Sequence, residues 1–125
     1  MKTHILLVDD DIDEMKTFVE ALKKVVPPFK CTYAANGIHA LKMLGYLRPE
    51  VIFVDYNMPA MNGLEVIAEI KRHESLGGIP VFLYARHISR AILEKAMKLG
   101  IAGCMDKPAS TEGLVTALKS VFAIS

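Results

Sequence analysis

Four charged residues follow short apolar runs of the sequence, at the points where buried strands would end. Asp9 and Asp10 follow the first run, Asp55 the third and Lys107 the fifth. Parallel strands bring their carboxyl ends to one edge of a sheet, so we expect the three carboxylates and the ammonium to converge there. A lone aspartate at such a place is typical of a helix cap, but caps need only one acid each. The convergence therefore indicates a functional cluster.

Three neighbouring carboxylates repel one another unless something neutralises them. A hard divalent cation with oxygen ligands, Mg²⁺ above all, does so. An acidic cluster beside a lysine also suits phosphoryl transfer, because the cation and the lysine neutralise the transferred oxygens while one carboxylate acts as the nucleophile. Asp55, which stands between the acidic pair and Lys107 in the chain, is the predicted nucleophile.

Strands and helices are predicted to alternate along the whole chain. The apolar runs that we interpret as strands are residues 5–8, 31–34, 51–54, 81–84 and 102–105. Each is followed by a segment with apolar residues three and four apart, as in an amphipathic helix. Those positions are Ile12, Met15, Phe18, Val19, Leu22, Val25 and Val26, then Ile38, Leu41 and Leu44, then Leu64, Ile67 and Ile70, then Ile92, Ala96 and Leu99, and finally Leu114, Leu118, Val121 and Phe122. Five such units predict an α/β fold with a five-stranded parallel sheet of order 2-1-3-4-5, a flavodoxin-like, doubly wound (βα)5 sandwich of three layers.

The predicted helices carry local signals at their ends. Asp11 and Glu14 are spaced as a capping box for the first helix, and Pro27-Pro28 end it. Gly77-Gly78 separate the third helix from the fourth strand. Gly100 stands where a left-handed cap would end the fourth helix.

The composition narrows the functional classes. The 125 residues correspond to one domain, residues 1–125, and 52% hydrophobic with 23% charged residues is a globular composition. A net charge of +1 gives no support to nucleic-acid or anionic-membrane binding. The sequence shows no signal segment and no apolar run near the roughly 18 residues of a membrane helix, so we expect a soluble cytoplasmic protein. Cys31 and Cys104 fit no metal spacing and are expected to be free thiols.

The motifs around the charged residues resemble the receiver domain of bacterial response regulators in two-component systems, single-domain chemotaxis receivers among them. The similar segments are residues 6–11 (LLVDDD), residues 54–59 (VDYNMP) with Gly63 after them, and Lys107-Pro108. The resemblance covers essentially the whole chain and its spacings are specific. It implies a phosphoacceptor module of signal transduction without an output domain of its own. No enzymatic activity is implied beyond self-catalysed phosphorylation and dephosphorylation.

The resemblance also implies a role for each residue of the cluster. Asp10 would bind Mg²⁺ directly, Asp9 would act through water, and Asn57 would give its backbone carbonyl to the metal. Asp55 would join the metal ligands and accept a phosphoryl group from a histidine kinase or a histidine phosphotransfer protein. Lys107 would contact that phosphoryl group. Signalling would follow from docking of an unidentified downstream protein on the face of the fourth helix, fifth strand and fifth helix, with the chain a monomer or weak dimer.

Two switch positions depart from the family pattern. Ala85 stands where the fourth strand of a typical receiver ends in threonine or serine, and Cys104 stands where an aromatic residue is usual. The family's relay from hydroxyl to aromatic side chain is therefore expected to be absent. Arg86 is a candidate for the missing phosphoryl contact, through its guanidinium. Tyr84 is expected to point away from the site by strand alternation.

Three other interpretations compete with a phosphoacceptor. Ala85 and Cys104 favour a receiver-like scaffold that no longer switches. Phosphatases that form an aspartyl phosphate need a second acid two residues after the nucleophile, where this chain has Asn57. A flavodoxin-like cofactor carrier would need a phosphate-cradling Gly-rich loop after the first strand, and the sequence has none there.

Overall fold

The computed structural model describes residues 3–25 and 28–122 of the chain, and it shows strands and helices in strict alternation. The strands are β1 (Thr3–Val8), β2 (Phe29–Ala34), β3 (Val51–Asp55), β4 (Val81–Ala85) and β5 (Gly103–Asp106). The helices are α1 (Ile12–Leu22), α2 (Gly37–Met43), α3 (Gly63–Arg72), α4 (Arg90–Lys98) and α5 (Thr111–Val121). All strand pairs are parallel, in the order β2-β1-β3-β4-β5. The predicted fold class and strand order are confirmed.

Two apolar cores lie on the two faces of the sheet. Side chains of α2, α3 and α4 cover one face, and side chains of α1 and α5 cover the other. β3 is buried at every residue, as expected of a central strand covered on both sides. The ring of Phe53 in β3 lies 5.2 Å from that of Phe18 in α1 and 5.3 Å from that of Phe82 in β4. In the described ranges, no helix has both the length and the apolar character needed to cross a bilayer.

The strand register brings the charged residues to one edge of the sheet. Val8 pairs with Val54, so the ends of β1 and β3 are level. Asp9 follows directly after β1, and Asp55 is the last residue of β3. Lys107, the residue after β5, is tied to the end of β4 by a backbone hydrogen bond of 2.8 Å. The parallel topology thus places residues from distant parts of the chain side by side.

Helix α1 is shorter than its predicted apolar stripe. It ends at Leu22, and residues 23–25 form a turn in which Val25 is buried. The N–H groups of Lys24 and Val25 donate to carbonyls three residues back, which tightens the chain out of the α-helix. The prediction that the helix includes residue 25 is therefore wrong. Val26 and Pro27 lie outside the described residues, so the helix stop predicted there stays a prediction.

Two residues placed in buried stripes are exposed, so those two predictions are wrong. Ile12 is 55% exposed and Ile38 is 58% exposed. At 3.6 residues per turn, Ile12 lies about 120° around α1 from the buried Phe18. Gly37 and Ala40 form the buried face of α2, and Ile38 lies about 100° from Gly37.

The helix ends agree with the sequence signals in part. Asp11 caps α1 by accepting two backbone N–H groups of its first turn, at 2.9 and 3.3 Å. Glu14 does not return a bond to the cap, so the predicted capping box is only half formed. A complete capping box of Asn62 and Glu65 opens α3, and the sequence analysis did not identify it. Gly100 has a φ of +85° after α4, as predicted.

Gly63, the first residue of α3, lies against the end of β3. Its N–H donates to the carbonyl of Tyr56 at 2.9 Å. A Cβ placed on Gly63 would lie 2.5 Å from the carbonyl oxygen of Asp55 and 2.9 Å from the Cα of Tyr56. Real Cβ atoms do not approach backbone this closely. Glycine therefore allows α3 to begin directly against the strand end that carries Asp55.

Gly63→Ala is expected to lower the free energy of unfolding by about 1–3 kcal/mol, because the backbone of Asp55 and Tyr56 has to move. Urea denaturation followed by circular dichroism measures the change. Gly78→Ala, in the turn before β4, is the matched control, because nothing lies within 4 Å of a Cβ placed there. The control should stay within about 0.5 kcal/mol of the wild type or be slightly more stable. Equal losses in the two variants would contradict the argument from close approach.

Candidate functional site

Three aspartates meet at the carboxyl ends of β1 and β3. Asp9 is fully buried and Asp55 is 4% exposed, whereas Asp10 is exposed. Ligand oxygens of the three carboxylates all lie within 4.8 Å of one another. The backbone N–H of Asp11 donates to Asp9 at 3.0 Å and holds that carboxylate in place. The structure thus brings together the three carboxylates that the sequence placed at strand ends.

Lys107 extends into this cluster from the loop after β5. Its Nζ lies 3.0 Å from the carboxylate of Asp9 and 3.0 Å from that of Asp55, and it also donates to Glu14. The lysine side chain is 7% exposed, and its Nζ lies 5.0 Å from the centroid of the Tyr84 ring. An ammonium has three N–H donors, and three carboxylates surround this one. Lys107 is therefore the central cation of the cluster.

Glu14 belongs to the site, and the sequence analysis missed it. One of its carboxylate oxygens accepts from Lys107, and the other accepts from Arg86 Nη2 at 2.6 Å. The capping-box prediction assigned this side chain to the N–H of Asp11, which instead donates to Asp9. A signal was available, because α1 begins within three residues of Asp9 and its first turn must border the same edge of the sheet.

Burial and neighbouring charges set the pKa values of these groups. Burial raises the pKa of Asp9 to about 7, against the hydrogen bond from Asp11 and the charge of Lys107. Burial likewise raises the pKa of Asp55, and Lys107 opposes it. Burial alone would lower the pKa of Lys107, but the bond to Glu14 and the charges of Asp9 and Asp55 outweigh it and raise that pKa. Burial would raise the pKa of Glu14, but Lys107 lowers it below its usual value. The lysine therefore stays charged, whereas burial makes simultaneous ionisation of the acids around it unfavourable in free energy.

A cavity of about 170 Å³ lies over the cluster, with room for several waters or a phosphoryl group. Its lining residues are Asp9, Asp10, Asp11, Glu14, Asp55, Asn57, Arg86 and Lys107. Five carboxyl groups line the cavity against two cationic side chains, so the ionised forms of these groups carry an excess of negative charge. A divalent cation that prefers oxygen ligands balances this charge. The residues present therefore fit Mg²⁺, with Asp9, Asp10 and Asp55 as the carboxylate ligands.

The fold and the charged strand ends have a match among known families. A family model described as the response regulator receiver domain matches residues 5–119. The chain belongs to the receiver-domain family. Receiver domains act in two-component signalling, where they interact with histidine kinases or phosphotransfer proteins, and they are in general signalling domains rather than enzymes.

Curated relatives of this receiver include full-length regulators and single-domain proteins. The nitrate/nitrite response regulator protein NarL of Escherichia coli K12 is 32% identical over 120 residues, which cover 95% of this chain and 54% of NarL. The chain thus spans about half the length of that relative. Chemotaxis protein CheY-3 of Vibrio cholerae is 27% identical over 117 residues, which cover 94% of this chain and 90% of CheY-3.

Solved structures agree with this receiver over almost its whole length. Chemotaxis protein CheY4 of Vibrio cholerae superposes with a TM-score of 0.85 at 26% identity and covers 97% of this chain and 99% of its own. The phosphorylated cyanobacterial phytochrome response regulator RcpA superposes with a TM-score of 0.86 at 26% identity and covers 97% of this chain and 91% of its own.

Ala85 and Cys104, the two positions predicted to depart from the family pattern, are buried and partly buried respectively. Ala85, at the end of β4, is 1% exposed and has no hydroxyl to offer the cavity. Cys104 in β5 pairs with Leu83 of β4 and packs against the core on the α4 side. Burial raises the pKa of the Cys104 thiol, so this side chain is neutral. Both cysteines are free, as predicted.

Strand alternation correctly predicts which face of β4 Tyr84 lies on. The prediction that this face is remote from the site is wrong. Its ring packs in the core on the α1 and α5 side, 5.7 Å from the ring of Phe18, whereas the neighbouring Leu83 packs in the core on the other face. Lys107 nevertheless lies over the ring, because the lysine side chain crosses that face to reach the carboxylates. Burial raises the pKa of Tyr84 to about 12, so its hydroxyl is a neutral group beside the cluster.

Mg²⁺ is expected to stabilise this receiver more at about pH 8 than at about pH 5. Burial raises the pKa of Asp9 from 3.8 to about 7. Between these pH values, Asp9 is protonated in the metal-free folded state and ionised in the unfolded chain. The stability of the metal-free protein should therefore fall as pH rises through this window, and Mg²⁺ should compete with the proton. The increase in melting temperature on adding Mg²⁺, measured at both pH values, checks this.

Asp9→Asn removes the titrating group and should reduce both this increase and its dependence on pH. Asp13→Asn changes an exposed acid in the first turn of α1. This variant is the matched control and should behave as the wild type. An equal Mg²⁺ effect at the two pH values in the wild type would contradict the assignment of Asp9.

Proposed function

We propose that this receiver domain accepts a phosphoryl group on Asp55, with Mg²⁺ bound beside it, from a histidine kinase or a histidine phosphotransfer protein. The observation that carries the proposal is the buried ion pair of 3.0 Å between Lys107 Nζ and Asp55, within a cluster of carboxylates that fits a divalent cation. A nucleophilic carboxylate, a fixed cation and a metal site are the parts that phosphoryl transfer requires.

Asp55 supplies the nucleophile. Among the described residues, Lys107 is the one ion-pair partner of its carboxylate, which leaves an oxygen for attack. That oxygen forms a bond to phosphorus while the bond from phosphorus to the donor imidazole nitrogen breaks, and the nitrogen keeps the electron pair. Hydrolysis restores the site when water attacks phosphorus and the bond to Asp55 breaks, with the electron pair returning to the carboxylate.

The surrounding residues supply charge and position. Lys107 is placed to contact a phosphoryl oxygen, since it already lies against Asp55. Asp9, Asp10, Asp55 and the backbone carbonyl of Asn57 are the proposed metal ligands, and Asn57 lines the same cavity. Bound Mg²⁺ would neutralise negative charge on the phosphoryl oxygens.

The readout is proposed to be docking of a separate protein on the face of α4, β5 and α5. Ala85 cannot give a hydroxyl to the phosphoryl group, and Cys104 cannot turn inward as an aromatic ring would. Arg86 lines the cavity and its side chain is 62% exposed, so we propose that its guanidinium contacts the phosphoryl group instead. The assignment of residues 1–125 to a single receiver domain and the monomer or weak dimer also remain proposals.

A receiver-like scaffold that does not switch is the second candidate. The observation that favours it is the pair of apolar switch positions, Ala85 at 1% exposure and the partly buried Cys104. The complete set of Asp9, Asp55 and Lys107 favours phosphorylation instead, because a scaffold gains nothing from burying like charges together.

Asp55→Asn is expected to abolish phosphorylation, because an amide oxygen is not nucleophilic enough to attack phosphorus. Intact mass spectrometry after incubation with Mg²⁺ and a small-molecule phosphodonor measures the adduct of one phosphoryl group. Asp106→Asn, at an exposed acid of β5, is the matched control and should accept the group as the wild type does. No adduct on the wild type would refute the phosphoacceptor and favour the scaffold.

Arg86→Ala is expected to slow phosphorylation by about three- to tenfold, which is less than a buried charged hydrogen bond would give, because the side chain is exposed. The time course of adduct formation and loss by intact mass gives both rate constants. Arg90→Ala is the control, because Arg90 is 92% exposed and pairs within α4 to Glu94. Rate constants for Arg86→Ala that equal those of the control would exclude a phosphoryl contact.

A further inference from the structure

Glu14 joins the first turn of α1 to two residues that are distant in the chain. One carboxylate oxygen accepts from Arg86 at 2.6 Å, and the other accepts from Lys107. Arg86 and Lys107 are 72 and 93 positions away from Glu14. The Glu14 side chain is 18% exposed and that of Lys107 is 7% exposed, so this half of the bridge is largely shielded from water, whereas the Arg86 side chain is 62% exposed. The contact is therefore a tertiary bridge rather than a salt bridge within one helix.

A phosphoryl group on Asp55 would need the donors that Glu14 occupies. The three carboxylates of Asp9, Glu14 and Asp55 surround the three N–H donors of Lys107. A phosphoryl oxygen can accept from Lys107 only by displacing one of them. Asp55 loses its carboxylate charge when it carries the group, and Asp9 is fully buried. Glu14 is then the charged acceptor at the edge of the cavity, so it competes with the phosphoryl group for the positive charge of Lys107.

Arg86 can change its acceptor more readily than Lys107 can. Its side chain is 62% exposed and it lines the cavity over Asp55, so a turn towards that cavity buries no uncompensated charge. A phosphoryl group offers three strong acceptor oxygens and nearly two negative charges, against one charge on Glu14. A phosphoryl group on Asp55 would thus be a stronger acceptor than Glu14, and it would lie in the cavity that Arg86 lines.

A change of acceptor by Arg86 would reach α4 through a short connection. Arg86 directly follows β4 and opens the segment of residues 86–89 that leads to α4. Ile88 in this segment packs against the core, and the Ser89 side chain caps α4 by accepting from the N–H of Ile92 at 3.2 Å. Displacement of this segment therefore acts on the first turn of α4.

We propose that Glu14 is a positioning residue that competes with a phosphoryl group on Asp55 for Lys107 and Arg86, and that the move of Arg86 from Glu14 to the phosphoryl group shifts residues 86–89. The inference rests on the proposed function, since it requires a phosphoryl group on Asp55. An exchange of ion-pair partners takes the place of the hydroxyl that Ala85 lacks.

The first measurement compares Glu14→Gln with Asp13→Asn. Glu14→Gln leaves one neutral acceptor in place of two charged ones, so it weakens the pairing with both cations and removes a negative charge that faces the incoming phosphodonor. The rate constant of phosphorylation by a small-molecule donor with Mg²⁺ should therefore rise about tenfold. Asp13→Asn removes a charge from the same helical turn, and its side chain pairs with neither cation within the described structure. Its rate constant should stay within about twofold of the wild type.

The second measurement follows the backbone amides of Ile88 and Ser89 by NMR before and after phosphorylation. In the wild type and in Asp13→Asn, these amides should shift on phosphorylation. In Glu14→Gln they should lie part of the way towards the phosphorylated positions before the donor is added, because the pairing with Arg86 is already weaker. In Arg86→Ala they should not move on phosphorylation. A role of Glu14 in folding alone would not produce this pattern.

The outcomes separate this inference from the proposed function. A wild-type chain that takes no phosphoryl group overturns the proposed function and the inference with it. A wild type that is phosphorylated, beside a Glu14→Gln variant that matches Asp13→Asn in rate and amide positions, overturns the inference alone. If Glu14→Gln does not fold, Arg86→Ala still decides, because an undiminished shift at Ile88 and Ser89 in that variant also overturns the inference.

Discussion

The buried ammonium of Lys107 is the interaction on which the charged edge of this molecule depends. Carboxylates from the end of β1, from α1 and from β3 approach it, and without the lysine they would repel one another in largely buried surroundings. Removing one partner of a buried ion pair commonly costs about 3–5 kcal/mol, because the remaining charge is left uncompensated. The ring of Phe18 packs against those of Phe53 and Tyr84, and Lys107 Nζ lies over the Tyr84 ring. The apolar core thus reaches the buried cation that holds the acids together.

The same cluster has fewer cationic than acidic groups. This imbalance favours the binding of a further cation or proton. A structural ion pair would match its charges, whereas here one lysine faces three acids and Asp10 adds a fourth. Without a metal ion the excess is relieved by protonation, as the raised pKa of Asp9 indicates. Acids with strongly shifted pKa values are typical of functional sites, where a bound ligand supplies the charge that the protein itself lacks. The excess of acids over cations is therefore an excess that protons balance and that the proposed Mg²⁺ would balance in their place.

The sequence predicted the sheet and the strand-end charges because both follow from short-range patterns combined with one topological rule. The apolar runs and helix spacing give the order of strands, and parallel strands align their carboxyl ends without further information. The partners of Glu14 were beyond such reasoning, since the capping box, a local rule, already accounts for a glutamate three residues after Asp11. Its real partners, Arg86 and Lys107, come from loops whose side-chain directions no periodicity fixes. The exposed Ile12 and Ile38 failed for a related reason, because an apolar residue in a terminal turn fits a stripe by spacing without lying over the sheet.

In the proposed readout, Ala85 and Arg86 together replace a hydroxyl contact with an ionic one. A threonine or serine hydroxyl at the end of β4 is on a short side chain, so it can reach a phosphoryl group only if the backbone moves too. Contact with the phosphoryl group and movement of the backbone are then coupled. A long guanidinium can change acceptors by rotating its side chain, and the backbone follows only as far as the new pairing pulls it. Because Arg86 is 62% exposed, salt would screen both its pairing with Glu14 and its proposed pairing with a phosphoryl group, and the pairing with the more highly charged group would lose more. The free-energy gap between the two proposed states would therefore depend on the difference between two ionic attractions. Ionic conditions would tune such a readout, whereas they would have little effect on a neutral hydroxyl relay.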